Sequence, residues 1–204
     1  MASYSLRVNL NDKWRKQWSS VPDAKLCFAM AVSNGGDKVY HNVVACTNDI
    51  EASIKISWTD KYQIAGNVKT STSTMDSNHT TSAVRVKFGS KTNIAKDQAN
   101  TISTGFGSDA PSDGFLFTNE VECSALLLCE IDGKFVPVYT SHAGNLSPGS
   151  SEVIIPKNKV YVWFSDDAKS STMTETMGSA KEVEIDGPGD RTVTFDEAGN
   201  WTVV

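Results

Sequence analysis

The stretch LCFAMAVSNGGDKVYHNVVA, residues 26–45, places two apolar, partly β-branched runs on either side of a short polar turn. The turn residues Asn34-Gly35-Gly36-Asp37 accept positive φ angles. They therefore predict a β-hairpin whose arms lie at 26–32 and 39–45.

The same pattern continues along the chain: short runs rich in Val, Ile, Thr, Tyr and Phe recur, separated by Gly, Asn, Asp, Ser or Pro. Helical periodicity is confined to residues 12–18. These observations predict an all-β fold, an antiparallel β-sandwich with one short helix. The further predicted strands lie at 4–10, 54–58, 62–64, 83–88, 125–131, 135–139, 153–155, 160–164, 183–185 and 192–195.

A shift of about 99 residues places the strands of the two halves on one another. Val39-Tyr40 lands on Val138-Tyr139, and Ile94 lands on Val193. Further matches are Ile54 and Ile56 with Val153 and Ile155, and Tyr62 and Ile64 with Tyr161 and Trp163. We interpret this as an internal duplication: residues 1–102 and 115–204 as similar halves and 103–114 as their connection. The halves would form either two tandem sandwiches or the two sheets of one sandwich.

Composition and charge exclude several classes of function. The chain has 204 residues and a formal charge of −5, with Lys and Arg scattered rather than clustered. Because binding to a nucleic-acid backbone needs a concentrated positive face, we expect no nucleic-acid partner. The longest apolar runs are too short to span a bilayer, so we expect no membrane insertion. The N-terminus lacks the pattern of a classical signal peptide, which favours an intracellular location, cytoplasmic or vacuolar.

No motif of catalysis or cofactor binding is present in the sequence. His41, His79 and His142 each stand alone, and neither a Gly-x-Ser-x-Gly elbow nor a glycine-rich phosphate loop occurs. Alternating acidic residues at 182–186 are typical of a solvated strand face, with calcium binding as the alternative. No Cys-x-x-Cys occurs. We therefore predict a protein that is not an enzyme and that needs neither cofactor nor metal.

The four cysteines, Cys27, Cys46, Cys123 and Cys129, are candidates for disulfide formation or assembly. Cys123 and Cys129 are roughly 20 Å apart if they share one strand, so they cannot bridge to each other. Cys27 and Cys46 lie on the two arms of the predicted hairpin, as diagonal neighbours in the simplest register. Cys46, near a strand end, is the best candidate for exposure and for a link between molecules.

Trp14 and Trp18 are four residues apart in the predicted helix and would share one of its faces. One interpretation is a surface for stacking sugars or docking a partner. The other, which we favour, is a plug that closes one end of the sandwich.

Several segments resemble the RhiA-like family of bacterial β proteins. They are the opening 3–9, the segment 54–62, the run 160–164 and the ending 192–201. The resemblance implies a related fold and brings no catalytic residues. The chain is also similar in type to octin-like fungal proteins, which form vacuolar crystals.

Duplication, four cysteines and the missing active-site motifs together favour a structural protein. We expect it to self-assemble into homo-oligomers or dense intracellular crystals, which disulfides could link and which gravity sensing could use. The alternative is a lectin-like defence protein that binds carbohydrate, because the Trp and Tyr rings of the chain could stack on a sugar.

Overall fold

The structure is a computed structural model that describes residues 2–47, 49–68, 81–98, 101–141, 144–166, 173–174 and 180–204, with 41–46 and 173–174 described by their backbone alone. Within these residues it contains one α-helix, α1 (Asp12–Ser19), and a 3-10 turn at Lys96–Gln98. The strands are β1 (Ser3–Leu10), β2 (Lys25–Ser33), β3 (Val39–Thr47), β4 (Ser53–Val68), β5 (Val84–Val86), β6 (Ser90–Ile94), β7 (Ser103–Phe106), β8 (Phe115–Asn119), β9 (Cys123–Ile131), β10 (Lys134–Thr140), β11 (Ser151–Ser165), β12 (Met173–Thr174), β13 (Lys181–Glu184), β14 (Gly189–Phe195) and β15 (Trp201–Val203).

Two sheets pack face to face, which confirms the all-β sandwich. Sheet A has the order β10-β9-β4-β1-β14-β15, with β5 beside β4. Sheet B has the order β12-β3-β2-β11-β8-β6-β7, with β13 beside β11. The sandwich is mixed rather than wholly antiparallel, because β1 pairs parallel with β14 and β6 pairs parallel with β8. Neither pair joins strands that are consecutive in the chain, so no hairpin forces them to run antiparallel.

The two sheets have equivalent strand orders. In sheet A, β10, β9, β4, β1, β14 and β15 occupy the positions that β3, β2, β11, β8, β6 and β7 occupy in sheet B. Apart from β1 and β8, the equivalent strands begin roughly 99 residues apart. Each sheet therefore contains strands of both halves, and the structure has neither tandem sandwiches nor one sheet per half. The common origin of the halves stays a prediction.

The expected connection at 103–114 is partly wrong, because its first four residues form β7. A Ser/Gly-rich composition suggested a linker, whereas pairing with β6 on one side suffices to hold Ser103–Phe106 as a strand.

The hairpin predicted around Asn34-Gly35-Gly36-Asp37 is confirmed, and the strands predicted at 125–131 and 135–139 form a second hairpin. β2 and β3 meet at a turn in which Gly35 has φ +92°, and β9 and β10 meet at Asp132-Gly133 with φ values of +47° and +78°. Two consecutive positive φ angles are the signature of a type I′ turn, whose twist matches that of the strands.

The inner faces of β2 and β9 match at the expected shift of 99. Leu26, Phe28 and Met30 point into the shared core, as do their counterparts Ala125, Leu127 and Cys129. On β4 and β11 the shift is 98, and both expected matches are wrong by one residue: Ile54 and Ile56 with Val153 and Ile155, and Tyr62 and Ile64 with Tyr161 and Trp163. The true counterparts of Tyr62 and Ile64 in the core are Val160 and Val162, whereas Trp163 lies in a separate cluster on the outer face of sheet B.

The strands β4 and β11 were each expected as two strands, because polar residues interrupt the alternation at 59–61 and 157–159. In the structure each continues through an irregularity, at Trp58 to Tyr62 against β9 and at Pro156 to Val160 against β2. The pairing shifts by two residues there, so the same face of each strand points into the core before and after the irregularity.

Because each sheet needs strands from both halves, we expect the protein to unfold in one cooperative transition. Phe28 and Leu127 are fully buried in the same core, one in each half. Phe28→Ala should lower the free energy of unfolding by about 3–5 kcal/mol and Leu127→Ala by about 2–5 kcal/mol. Urea titrations should show both variants shifting the same single transition.

The matched control is Phe106→Ala, because Phe106 is 78% exposed. It should change the free energy of unfolding by no more than about 0.5 kcal/mol. Two separate transitions, one of them untouched by each core variant, would contradict the shared core.

Candidate functional site

The tryptophans of α1 pack against the end of the sandwich. The helix begins after Asn11, whose side chain accepts a hydrogen bond from the backbone N–H of Lys13 at 2.9 Å. Trp18 stacks on Phe164 with ring centroids 4.8 Å apart, and Trp14 lies 5.3 Å from the ring of Phe195. Both tryptophans are half-buried against the main core. They close the sandwich, so they do not present a flat surface to a sugar.

The polar atoms of the two tryptophans point to the same conclusion. Trp14 donates its Nε1–H to the carbonyl oxygen of Glu197 at 3.2 Å. The Nε1 of Trp18 is enclosed and has no hydrogen-bond partner. Neither N–H is therefore open to a ligand in solution.

The structure places Cys27 directly opposite Cys46 in the β2–β3 ladder, rather than diagonally. The loop between the strands is longer than the simplest register assumes, and an irregularity after Phe28 shifts the pairing further. Cys27 is fully buried beside Ala29 and Trp163 on the outer face of sheet B. The side chain of Cys46 lies outside the described residues.

Cys123 and Cys129 both lie on β9 and are fully buried in the main core. Burial, reinforced by the negative charge of Glu152, raises the pKa of Cys123 to about 11. Burial, reinforced first by Glu130, raises the pKa of Cys129 to about 12. A thiol that stays protonated and enclosed neither attacks nor cross-links. Neither side chain is therefore placed to link two molecules.

A buried carboxylate that the sequence reasoning missed lies between the sheets. Glu152 accepts hydrogen bonds from the hydroxyls of Tyr139, at 2.7 Å, and Ser141, at 2.6 Å. Ser141 Oγ also accepts from the backbone N–H of Ala125. The alternation of β11 could have indicated Glu152, since it lies in phase with the inward-facing Ile154. These bonds hold Ser141 in place as a structural group.

His79, His142 and the side chain of His41 lie outside the described residues. In the described part of the chain no group of three or more His, Cys, Asp or Glu side chains could hold a metal ion.

A shallow polar depression of about 230 Å³ lies on the outer face of sheet A. Its carboxylates already accept hydrogen bonds within the protein: Asp190 from Ser5 Oγ, and Asp132 from the backbone N–H of Ser57 at 3.0 Å. The Ser5 hydroxyl, followed by the charge of Lys55, holds the pKa of Asp190 below its usual range. The depression is therefore polar but largely self-satisfied.

The outermost strands β7 and β15 are the least protected parts of the fold. Each is the last strand of its sheet, and in the described residues no strand pairs with its far side. All four residues of β7 are exposed, and Phe106 is 78% exposed. Beyond β15, Val204 is 83% exposed. We call β7 and β15 the uncharged edge strands, because neither contains a charged residue or a proline.

The edge strand at the other end of sheet A is different. β10 carries Pro137, which cannot donate to a ladder, and Lys134, whose charge resists burial. Its pairing with β9 is also irregular between Pro137 and Tyr139. These devices are the ones that natural proteins use to prevent sheets from joining edge to edge. Their absence from β7 and β15 leaves two edges able to accept a further strand.

Sequence reasoning missed both edge strands. The shift of 99 residues also places Ile102 on Trp201, so a strand at one of these places would have indicated a strand at the other.

No family model, curated protein or solved structure matches this chain. No helix in the described residues combines the length and the apolar character needed to cross a membrane.

The buried thiols lead to a direct test. We expect iodoacetamide at about pH 8 to leave Cys123 and Cys129 unmodified in the folded protein and to modify both in urea, because the thiolate is the reactive form. Peptide mass spectrometry would locate the label. Rapid modification of either residue in the native protein would show that β9 is more open than the structure indicates.

Proposed function

We propose that this chain is a structural protein that self-assembles through its uncharged edge strands into homo-oligomers or a dense lattice. The observation that carries the proposal is the pair of exposed edges, β7 on sheet B and β15 on sheet A, at equivalent positions of the two sheets. An exposed edge offers a row of backbone N–H and C=O groups to another strand.

The presence of two such edges on different sheets favours open growth. A molecule with one edge strand that can pair assembles only as far as a dimer, whereas a molecule with two such strands can add a neighbour at each. The edges are three and four residues long. Each would form only a few hydrogen bonds, worth about 0.5–1.5 kcal/mol apiece, which is small against the cost of association. Assembly would therefore need a high local concentration, as in a protein crystal within a cell.

The similarity in type to octin-like crystal formers supports this proposal, whereas the resemblance to RhiA-like proteins concerns the fold alone. An intracellular, cytoplasmic or vacuolar, setting would supply the concentration, and gravity sensing is one use of a dense body. A role for disulfides rests on Cys46, since the other three cysteines are buried.

Sedimentation velocity over a range of concentrations tests the proposal. We expect the wild-type protein to grow beyond the dimer. Gly105→Lys places a charge on β7, where a side chain meets no atom within 4 Å, and Thr202→Lys places one on the exposed surface of β15. Because a lysine on an edge resists pairing, the double variant should remain a monomer.

The single variants distinguish two modes of pairing. If β7 pairs with β7 and β15 with β15, each single variant stops at a dimer; if β7 pairs with β15, each removes growth altogether. Ser108→Lys is the matched control, because it adds the same charge to an exposed residue just after β7. A monomeric wild type at high concentration, or a double variant that grows like the wild type, would overturn the proposal.

Carbohydrate binding is the second candidate, and the polar depression on sheet A favours it. Five hydroxyl side chains line the depression, and the hydroxyls of two of them, Ser5 and Thr59, already donate hydrogen bonds within the protein. The other three, Ser3, Tyr4 and Ser57, suit the hydroxyl groups of a sugar. Since Trp14 and Trp18 are packed into the fold, an exposed stacking ring of theirs does not assist it. A glycan array should show binding that Ser57→Ala weakens; an array without a signal would remove this candidate.

A further inference from the structure

A second cavity, of about 430 Å³, opens beside β5 and the start of β10. Its apolar walls are Phe88, Phe135 and Tyr62, so we call it the aromatic groove. Its volume lies in the range of cavities that hold small organic ligands. It contains no residue of the uncharged edge strands, and it is therefore separate from the proposed assembly surface.

Phe88 is the main feature of the aromatic groove. It is 45% exposed, although large apolar side chains of this chain are mostly buried. One side of its ring packs against two other rings: the centroid of Phe88 lies 5.7 Å from that of Tyr62 and 5.4 Å from that of Phe115. A ring fixed on one side and open on the other is preorganised to stack against a flat apolar group.

The charges around the aromatic groove leave an excess of one positive charge. Lys61 is already neutralised by Glu130, with Nζ 2.7 Å from Oε2. Of the remaining lining residues, Asp60 offsets one of the two cations Arg85 and Lys87, both exposed and without an ion pair among the described residues. A single excess positive charge is complementary to a ligand that carries one negative charge.

The equivalent place in the other half shows that the scaffold does not require these residues. At the shift of 99, Arg85 and Lys87 correspond to Glu184 and Asp186, and Phe88 corresponds to Gly187. The inward neighbours are conserved in character, since Val86 and Ile185 are both buried in the core. Folding thus needs the apolar inner residues of this segment. The ring of Phe88 and the cations Arg85 and Lys87 are present in the first half only, so the fold does not depend on them.

A smaller cavity of about 110 Å³ lies beside the aromatic groove and shares the lining residues Asp60, Tyr62 and Phe88 with it. Because Lys157 and Lys159 also line this smaller cavity, the single excess positive charge describes the aromatic groove alone.

We infer that the aromatic groove binds a small monoanion with a flat apolar body, of the class of the aromatic carboxylates. Phe88 stacks on the ring. Arg85 receives the carboxylate, because a planar guanidinium can form two parallel hydrogen bonds with it. Lys87 supplies a second, less directional charge.

Isothermal titration calorimetry with naphthalene-2-carboxylate, and with the neutral naphthalene-2-carboxamide, tests the inference. We expect the carboxylate to bind and the amide to bind at least about tenfold more weakly, since hydrogen bonds to charged groups are the stronger ones. Arg85→Gln should weaken carboxylate binding about tenfold and leave amide binding unchanged. Both the residue and its replacement are solvent-exposed, so the fold should persist.

Lys134→Gln is the matched control, because it removes an exposed cation next to Phe135 that does not line the aromatic groove. It should bind the carboxylate like the wild type. Phe88→Ala should weaken both ligands, and its thermal melt would show whether it folds. Equal affinity for carboxylate and amide, wild-type affinity in Arg85→Gln, or no binding at millimolar concentration would each overturn the inference. None of these results depends on whether the edges assemble.

Discussion

The pairing of β4 with β9, and of β11 with β2, is the constraint on which the rest of the molecule depends. Each of these ladders joins a strand of one half to a strand of the other. Neither half can therefore complete a sheet or cover its own inner face alone. Because the central positions are filled in this way, β7 and β15 lie at the ends of their sheets, each with one neighbouring strand among the described residues.

Local pattern predicted most of this architecture. Runs of apolar and β-branched residues located β1, β2 and β9, and the turn residues Asn34-Gly35-Gly36-Asp37 identified the hairpin of β2 and β3. Prediction from local pattern failed where a strand is held by partners that are distant in the sequence. The pairing of β1 with β14 has no local signal in the sequence, and β6 was missed because its polar residues Ser90–Ile94 resemble a loop. The polar residues inside β4 and β11 were expected to end these strands. The strands instead continue, because the irregular pairing at these positions accommodates polar residues.

The candidate sites were less predictable than the fold, for a physical reason. The sequence shows which residue types could bind a ligand or react. Whether they can do so depends on their exposure to solvent, which the tertiary packing determines. Trp14 and Trp18 were correctly placed on one helix face, but the packing of Phe164 and Phe195 closes that face. Conversely, Gly105 and Thr202 have no notable chemistry of their own. They become important because, in the part of the chain that the structure describes, no strand pairs with the far side of β7 or β15.

The central claim is that β7 and β15 are the surfaces through which copies of this chain join. Hydrogen–deuterium exchange measured at low and at high protein concentration tests it most directly, because strand pairing protects backbone amides. The account predicts slower exchange at 103–106 and 201–203 as concentration rises, with β10 unchanged. Exchange at both edges that stays fast while the protein assembles would contradict it.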